Sequence, residues 1–294
     1  MKKLILLLLS IASGAVQAQL DTMQMVKPDS LRMDGLPLNL AYKSIENKSF
    51  QRGEVLEYSI DYGFINAGKA KIQVNPGLYN VNTRPCYRVD VYGHTTGALD
   101  FISSVRDNWG TYLDTAAIIP HISYRDVKEG GYTKREIVRF DHINHIAETK
   151  VFNEEINKFD EPTYHQMLAY ESGIQDIVSG YFYLRTLDFS KMKEGDTIKV
   201  YAFFENKVYD FKTKLTQREE LETALGTVNA LVLVPIMPDN KLFSGPNSVK
   251  VWISDDENKI PLKVKVELFI GSAEINIEKV SGLKGVTKFK SKKG

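Results

Sequence analysis

Four charged residues sit where the surrounding pattern is apolar: Arg106, Asp107, Asp176 and Arg185. An isolated charge taken out of water is expensive, so such residues either pair with one another in the interior or head a ligand site. Asp176 and Arg185 fall in the first and last turns of a predicted helix, where their signs suit its macrodipole without further function. Asp176 and Ser179 stand three apart on that helix, yet nothing in the chain supplies a histidine to activate the serine.

Two other groupings invite a chemical reading. His142 and His145 flank a turn in Asp141-His142-Ile143-Asn144-His145, and His121 and His165 could join them only through the fold. Strand residues three apart face opposite ways, so surface or turn histidines are the simpler reading than a zinc pair. Asp255, Asp256 and Glu257 run together before Asn258. A calcium loop alternates its ligands with spacers and carries a glycine, so this run reads as turn chemistry. There is no Gly-x-Ser-x-Gly elbow, phosphate loop or dinucleotide fingerprint. No catalytic, cofactor-binding or metal-binding residue is therefore expected.

Aromatic residues form the remaining candidate site. Ile174, Ile177, Val178, Tyr181 and Phe182 recur at helical spacing after Ser172-Gly173-Ile174-Gln175, which fits a capping box and predicts a helix from Ser172 to about Leu187. Tyr201 and Phe203 share one face of a later strand, with Phe204 on the other. Ile177, Val178, Tyr181, Phe182, Tyr201 and Phe203 then either pack a helix-on-sheet core or line an apolar cavity. Arg106, Asp107, Asp176 and Arg185 are correspondingly either ion pairs or a polar head-group site.

The elements that hold these residues are mostly strands. Leu56, Tyr58, Ile60 and Tyr62 alternate on one face, and Ala70 to Val74 returns the chain. Strands follow at Cys86 to Tyr92, Val105 to Leu113, Ile118 to Val127, Tyr132 to Phe140 and Ile143 to Phe152. Gly130-Gly131 marks a hairpin, because a primed turn takes positive φ. Thr163 to Tyr170 reads as a helical turn. Later strands cover Thr197 to Phe204, Val208 to Leu215, Arg218 to Glu222, Val228 to Val234, Ser248 to Ser254, Leu262 to Ile270 and Ser272 to Val280. Leu268-Phe269-Ile270-Gly271 echoes Gly63-Phe64-Ile65 near the start, as hairpin chemistry of the same kind. The expectation is a strongly curved antiparallel sheet, or a partly open β-barrel, wrapped around one main amphipathic helix.

Residues 1–18 read as a secretory signal: Lys2 and Lys3, an apolar run from Leu4, and Val16-Gln17-Ala18 ahead of the cut. That run is far short of the roughly 20 residues a membrane span needs. Cleavage is expected before Gln19, with no cysteine there to carry lipid, and the product is placed in the periplasm. Residues 19–49 read as an extended or disordered leader, 50–282 as one β-rich domain, and 283–294 as a basic flexible tail. With 38 basic and 37 acidic residues, the chain as a whole gives no electrostatic case for nucleic acid or for an acidic membrane surface. Cys86 is the lone cysteine, in a strand-like run, and reads as a buried apolar residue.

Phe50 to Val280 resembles a family of exported Gram-negative proteins classed as a domain of unknown function. The resemblance rests on Gly53-Glu54-x-Leu56-x-Tyr58, Tyr62-Gly63, Ala67-Gly68-x-Ala70, Arg106-Asp107 and Glu129-Gly130-Gly131-Tyr132. It rests also on Phe140-Asp141, Gln175-Asp176-x-x-Ser179, Tyr183-Leu184-Arg185, Val251-Trp252-Ile253-Ser254-Asp255-Asp256 and Ile260-Pro261-Leu262. It implies a β-rich periplasmic fold and brings no catalytic residues. The expected shape is similar to that of carriers that shelter acyl chains between sheet and helix. The first functional expectation is thus a non-enzymatic binding or envelope-maintenance protein for an apolar or amphiphilic small molecule. The alternative is a structural or interaction module with a filled core, and a hydrolase is less favoured.

Overall fold

A computed structural model of the chain describes residues 42–167, 173–236, 248–268 and 271–291. Strands dominate. The first nine are β1 Val55–Tyr62, β2 Ile65–Val74, β3 Tyr79–Val81, β4 Arg84–Thr95, β5 Arg106–Asp114, β6 Pro120–Glu129, β7 Tyr132–Asp141, β8 Ile146–Asn153 and β9 Lys158–Phe159. The rest are β10 Thr163–Gln166, β11 Thr197–Phe204, β12 Lys207–Thr223, β13 Gly226–Ile236, β14 Val249–Ser254, β15 Pro261–Glu267 and β16 Ser272–Ser281. Among the described residues two helices interrupt them, α1 Gly97–Ile102 and α2 Ile177–Arg185.

All sixteen strands join one antiparallel sheet, ordered β10-β8-β7-β6-β5-β4-β2-β1-β16-β15-β14-β13-β12-β11, with β3 on β4 and β9 on β8. Among the described residues the ladder does not close. Beyond the β11 edge lies a single parallel bridge from Gln175 to Ala202. Sequential antiparallel neighbours are what tight turns permit. Between β6 and β7 only Gly130 takes positive φ, at 61°, so the turn needs a glycine at its first central position and not at both.

Alternation sets the faces. Leu56, Tyr58 and Ile60 of β1 are buried together, and Tyr201 and Phe203 of β11 share one apolar cluster with Val138, Phe140, Met167 and Ile174. The helix α2 sits between clusters. Val178 and Phe182 pack with Phe50, Val74, Val89, Leu113 and Ile118, while Tyr183 and Leu184 lie against Phe189, Ile198, Val200 and Leu215.

Several boundaries differ from the sequence reading. The segment expected to be a helical turn at Thr163 runs as β10, paired with β8. Its continuation, 168–170, lies outside the described residues. The strands expected at Val208 and Arg218 are one, because a bulge between Leu215 and Gln217 breaks the alternation without ending β12. Residues 42–49, placed above in the leader, pack on the sheet: the Ile45 N–H donates to Ala116 O at 2.8 Å, and Ser49 and Phe50 are buried. The basic tail is likewise anchored as far as Lys290, which bridges Thr227. No helix among the described residues is long and apolar enough to cross a membrane.

Candidate functional site

The entrance to α2 organises the site. Ser172 lies outside the described residues, but Gly173 to Asp176 are not helical, so the helix does not start at Ser172. Gln175 is extended instead: its N–H donates to Tyr201 O and it accepts from the Phe203 N–H, both at 2.8 Å. That edge pairing overrides the local Ser-x-x-Gln signal. The cap is Asp176, whose Oδ1 accepts from the N–H of Val178 at 2.7 Å and of Ser179 at 3.0 Å. Ser179 Oγ returns the bond from the Asp176 N–H at 2.8 Å, completing a capping box. Thr111 Oγ1 donates to the other Asp176 oxygen at 2.7 Å. Burial raises the Asp176 pKa, with the hydrogen bonds from Thr111 and Ser179 opposing it.

Arg185, at the other end of α2, is wholly buried. It meets Glu54 at 2.6 and 2.9 Å and donates to the carbonyls of Ser49 and Asn258, each at 2.8 Å. Phe50, Tyr181 and Phe182 surround its guanidinium at 5.2 to 5.7 Å. Burial opposes its charge, but Tyr181 and Glu54 hold its pKa above the ordinary value.

The four charges of the sequence reading do not come together as two pairs. Arg106 pairs with Asp100 of α1 at 2.6 Å. Asp107 faces the opposite side of β5 and accepts from the Lys128 N–H at 2.6 Å. Its Oδ2 is buried with no hydrogen-bond partner among the described residues, and burial pushes its pKa up to about 8. Asp176 caps α2 and Arg185 holds Glu54. Each charge has a separate structural partner, and they form no common head-group site.

The six apolar candidates divide as well. Val178, Tyr181 and Phe182 belong to the cluster around Phe50, whereas Tyr201 and Phe203 belong to that around Phe140. Ile177 is 41 % exposed. Of the six, Ile177, Val178 and Phe203 meet at one cleft, also lined by Trp109, Val138 and Phe204. Trp109 and Phe204 stack with centroids 6.0 Å apart, and Arg125 lies 5.4 and 5.1 Å from their rings while pairing with Glu136 at 2.8 Å and Glu205 at 2.6 Å. This cleft leaves about 30 Å³ for solvent. That is room for water, against the several hundred Å³ of a ligand pocket. Trp109 and Arg125 were missed in sequence, and Phe204 was read only as lying on the other face of its strand, because the three come from β5, β6 and β11.

The other candidates also have structural partners. His142 Nε2 lies 2.7 Å from Pro120 O, and burial pushes its pKa down to about 4. His121 is 3.1 Å from Asp114. Burial opposes ionisation of Asp114, yet hydrogen bonds from His121, Arg84 and the Ala117 and Ala116 N–H groups hold it below the usual carboxylate range. His145 occupies a turn at φ 56°. Asp256 Oδ1 accepts from Ser254, Asn258 and Lys259 within its own turn, and Asp255 pairs with Arg218. Cys86 is buried. Among the described residues, no three His, Cys, Asp or Glu side chains are grouped to hold a metal ion.

A larger space of about 280 Å³ opens on the sheet near the β12–β13 turn. Leu221, Leu262 and Ile277 form its apolar wall, with Glu222, Lys263 and Glu278 around it. Glu278 is the extra residue of a bulge opposite Glu57 and Tyr58, which turns its side chain out of the regular alternation.

Among solved structures, the chain is similar to a β-barrel-like protein of the DUF1849 domain of unknown function from Brucella abortus. The two are 9% identical, with a TM-score of 0.50, covering 82% of this chain and 99% of that one. Two more distant likenesses carry no argument about the fold. One is to a protein from Bacteroides fragilis named as exported with a YmcC-like fold, at 9% identity, TM-score 0.28, and 81% and 99% coverage. The other is to a protein from Parabacteroides distasonis named as a lipoprotein, at 8% identity, TM-score 0.28, and 81% and 99% coverage. No curated protein matches the chain. The model of the DUF3108 family, proteins of unknown function, matches residues 57–278, well over half the chain, and the protein belongs to that family.

Proposed function

We propose that the protein is a non-enzymatic, exported envelope protein that acts through its outer surface, as a structural or interaction module with a filled core. The carrying observation is the interior beside α2. The cleft there has about 30 Å³ free, and five of the six apolar candidates split between two packed clusters. A close-packed interior has no place for an acyl chain. The charges that could have led a ligand inward are each bonded within the protein. The export part of the reading rests on the Lys-apolar-Val-x-Ala order of residues 2–18.

Titration of the purified protein with a fluorescent fatty acid tests the interior. The account expects no saturable binding that Val178 or Phe203 substitutions alter. Saturable binding lost in Phe203→Ala would favour the carrier.

One observation favours a second reading, a site for a small amphiphile beside the β12–β13 turn. The space of about 280 Å³ has an apolar wall and charged edges, the polarity such a molecule carries. Here the fatty-acid probe would bind and Leu221→Trp, which fills the space, would abolish binding while leaving the melting temperature alone.

A further inference from the structure

The dipeptide Phe-Ile occurs three times in the chain, as Phe64-Ile65, Phe101-Ile102 and Phe269-Ile270. The first two fall in connections at the same end of the sheet. The first spans the β1–β2 turn, the second ends α1 between β4 and β5, and the third lies between β15 and β16. Phe269 and Ile270 are outside the described residues.

Hydrogen bonds tie these connections side by side. The Gly63 N–H donates to Ser272 O at 3.0 Å, and the Thr96 N–H to Ala67 O at 3.0 Å. The Gly130 N–H donates to Ser104 O at 2.8 Å, bringing in the β6–β7 turn and Tyr132. Phe64 is 99 % exposed, Phe101 95 % and Ile102 75 %, and Ile65, Tyr132 and Ile236 of the β13 end are exposed too. Single exposed apolar residues are ordinary, but several on adjoining turns at one end make a patch that costs solubility unless it is used.

We infer that this end of the sheet docks on a lipid bilayer, with Phe64-Ile65 and Phe101-Ile102 seated at the boundary between headgroups and acyl chains. This rests on the surface-acting reading above and names its partner. The shape favours a bilayer. The side chains protrude singly from separate turns, whereas a protein interface has a closely packed, shape-complementary core. Aromatic and aliphatic tips are the residues that settle at the membrane interface.

Charge at this end points the same way. Lys69 of β2 and Lys250 of β14 are exposed behind the tips, and neither has an acidic partner among the described residues. Acids at this end are largely compensated: Asp100 is paired with Arg106 at 2.6 Å and Glu267 with Lys265 at 3.2 Å, while Asp61 keeps its charge and accepts from Asn66 and Asn276. Burial raises the pKa of Asp107 and of Glu129. Exposed lysines behind apolar tips match an anionic leaflet.

Cosedimentation of the purified protein with vesicles of phosphatidylethanolamine and phosphatidylglycerol tests the inference. The protein should bind, and Phe64→Ser/Phe101→Ser/Ile102→Ser should weaken binding about tenfold or more with the melting temperature unchanged, because these side chains are outside the core. In a Phe64→Trp variant, emission should shift to the blue on binding and be quenched by brominated lipid. Lys69→Glu/Lys250→Glu should weaken binding to these vesicles and not to phosphatidylcholine alone. Absence of binding, equal binding by the triple variant, or emission from the Phe64→Trp variant that brominated lipid leaves unquenched overturns the inference. So does a concentration-dependent dimer in light scattering that the triple variant abolishes, which would make a second copy the occupant. If docking fails while the fatty-acid titration still finds no interior site, only this inference falls and the filled-core reading stands.

Discussion

Arg185 and Glu54 are 131 residues apart in the chain, and in the fold they form a bidentate pair at 2.6 and 2.9 Å with neither side chain reaching solvent. The pair joins the end of α2 to the start of β1, and the Ser49 and Asn258 carbonyls complete the shell of the guanidinium.

Removing one partner leaves the other as an uncompensated buried charge. Arg185→Met should destabilise the protein by about 3–5 kcal/mol in urea unfolding. Arg185→Met with Glu54→Leu should recover much of that loss, since two apolar groups of similar volume leave no orphaned charge. A double variant no more stable than the single one would mean that the pair is required for more than charge balance.

At the other end of the helix, Asp176→Ala should cost about 0.5–2 kcal/mol by removing the acceptor for the Val178 and Ser179 N–H groups. Ser172→Ala should leave the thermal midpoint where it is. The reverse pattern would place the helix start at Ser172.

Asp107 gives the protein a pH dependence of stability. Its folded pKa, about 8, stands above the unfolded carboxylate value, so the folded state holds the proton more tightly. Its stabilising contribution is complete below the unfolded value and is lost as pH rises through 8. His142 has the opposite sign: with a folded pKa of about 4, its contribution is present above its unfolded value and lost as pH falls toward 4. Of these two groups, only Asp107 still changes above about pH 6.5. Asp107→Asn keeps an acceptor for the Lys128 N–H, removes the buried charge, and should raise stability at pH 8 by about 1–3 kcal/mol with little change near pH 4. Equal effects at both pH values would contradict the assignment.

Export makes a further prediction. The protein isolated from the cell envelope should begin at Gln19, open or cyclised. A first residue upstream of Gln19, or a lipid-modified form, would contradict the signal-peptide reading.

What could be read in the sequence was short-range and periodic. Alternation at Leu56, Tyr58 and Ile60 marked β1, and Thr197–Phe204 was legible to the residue as β11. The 17-residue β12 was read as two strands because its bulge at Thr216 shifts the alternation by one. The spacing of Asp176 and Ser179 was visible, but its role was not. Three residues apart suits a capping box as well as a catalytic pair, and the choice depends on Gln175 being held by β11. Arg106 and Asp107 were adjacent in sequence and therefore opposed across the strand, so adjacency could not reveal Asp100 or the Lys128 N–H as their partners. Glu54 belonged to a recognised motif, yet nothing local ties it to Arg185. The aromatic candidates were each in their expected elements. Whether they enclosed a cavity depended on how closely β5, β7 and β11 approach around α2, a long-range property.

The central claim is that the interior beside α2 is filled, and Val178→Trp measures that most directly. Val178 packs with Phe50, Val74, Val89, Leu113, Ile118 and Phe182. The larger ring has no room there, so the account predicts a loss of about 1–3 kcal/mol in unfolding free energy, with no fatty-acid binding in either protein. Unchanged stability together with reduced probe binding would contradict it, because only a cavity could take up the ring.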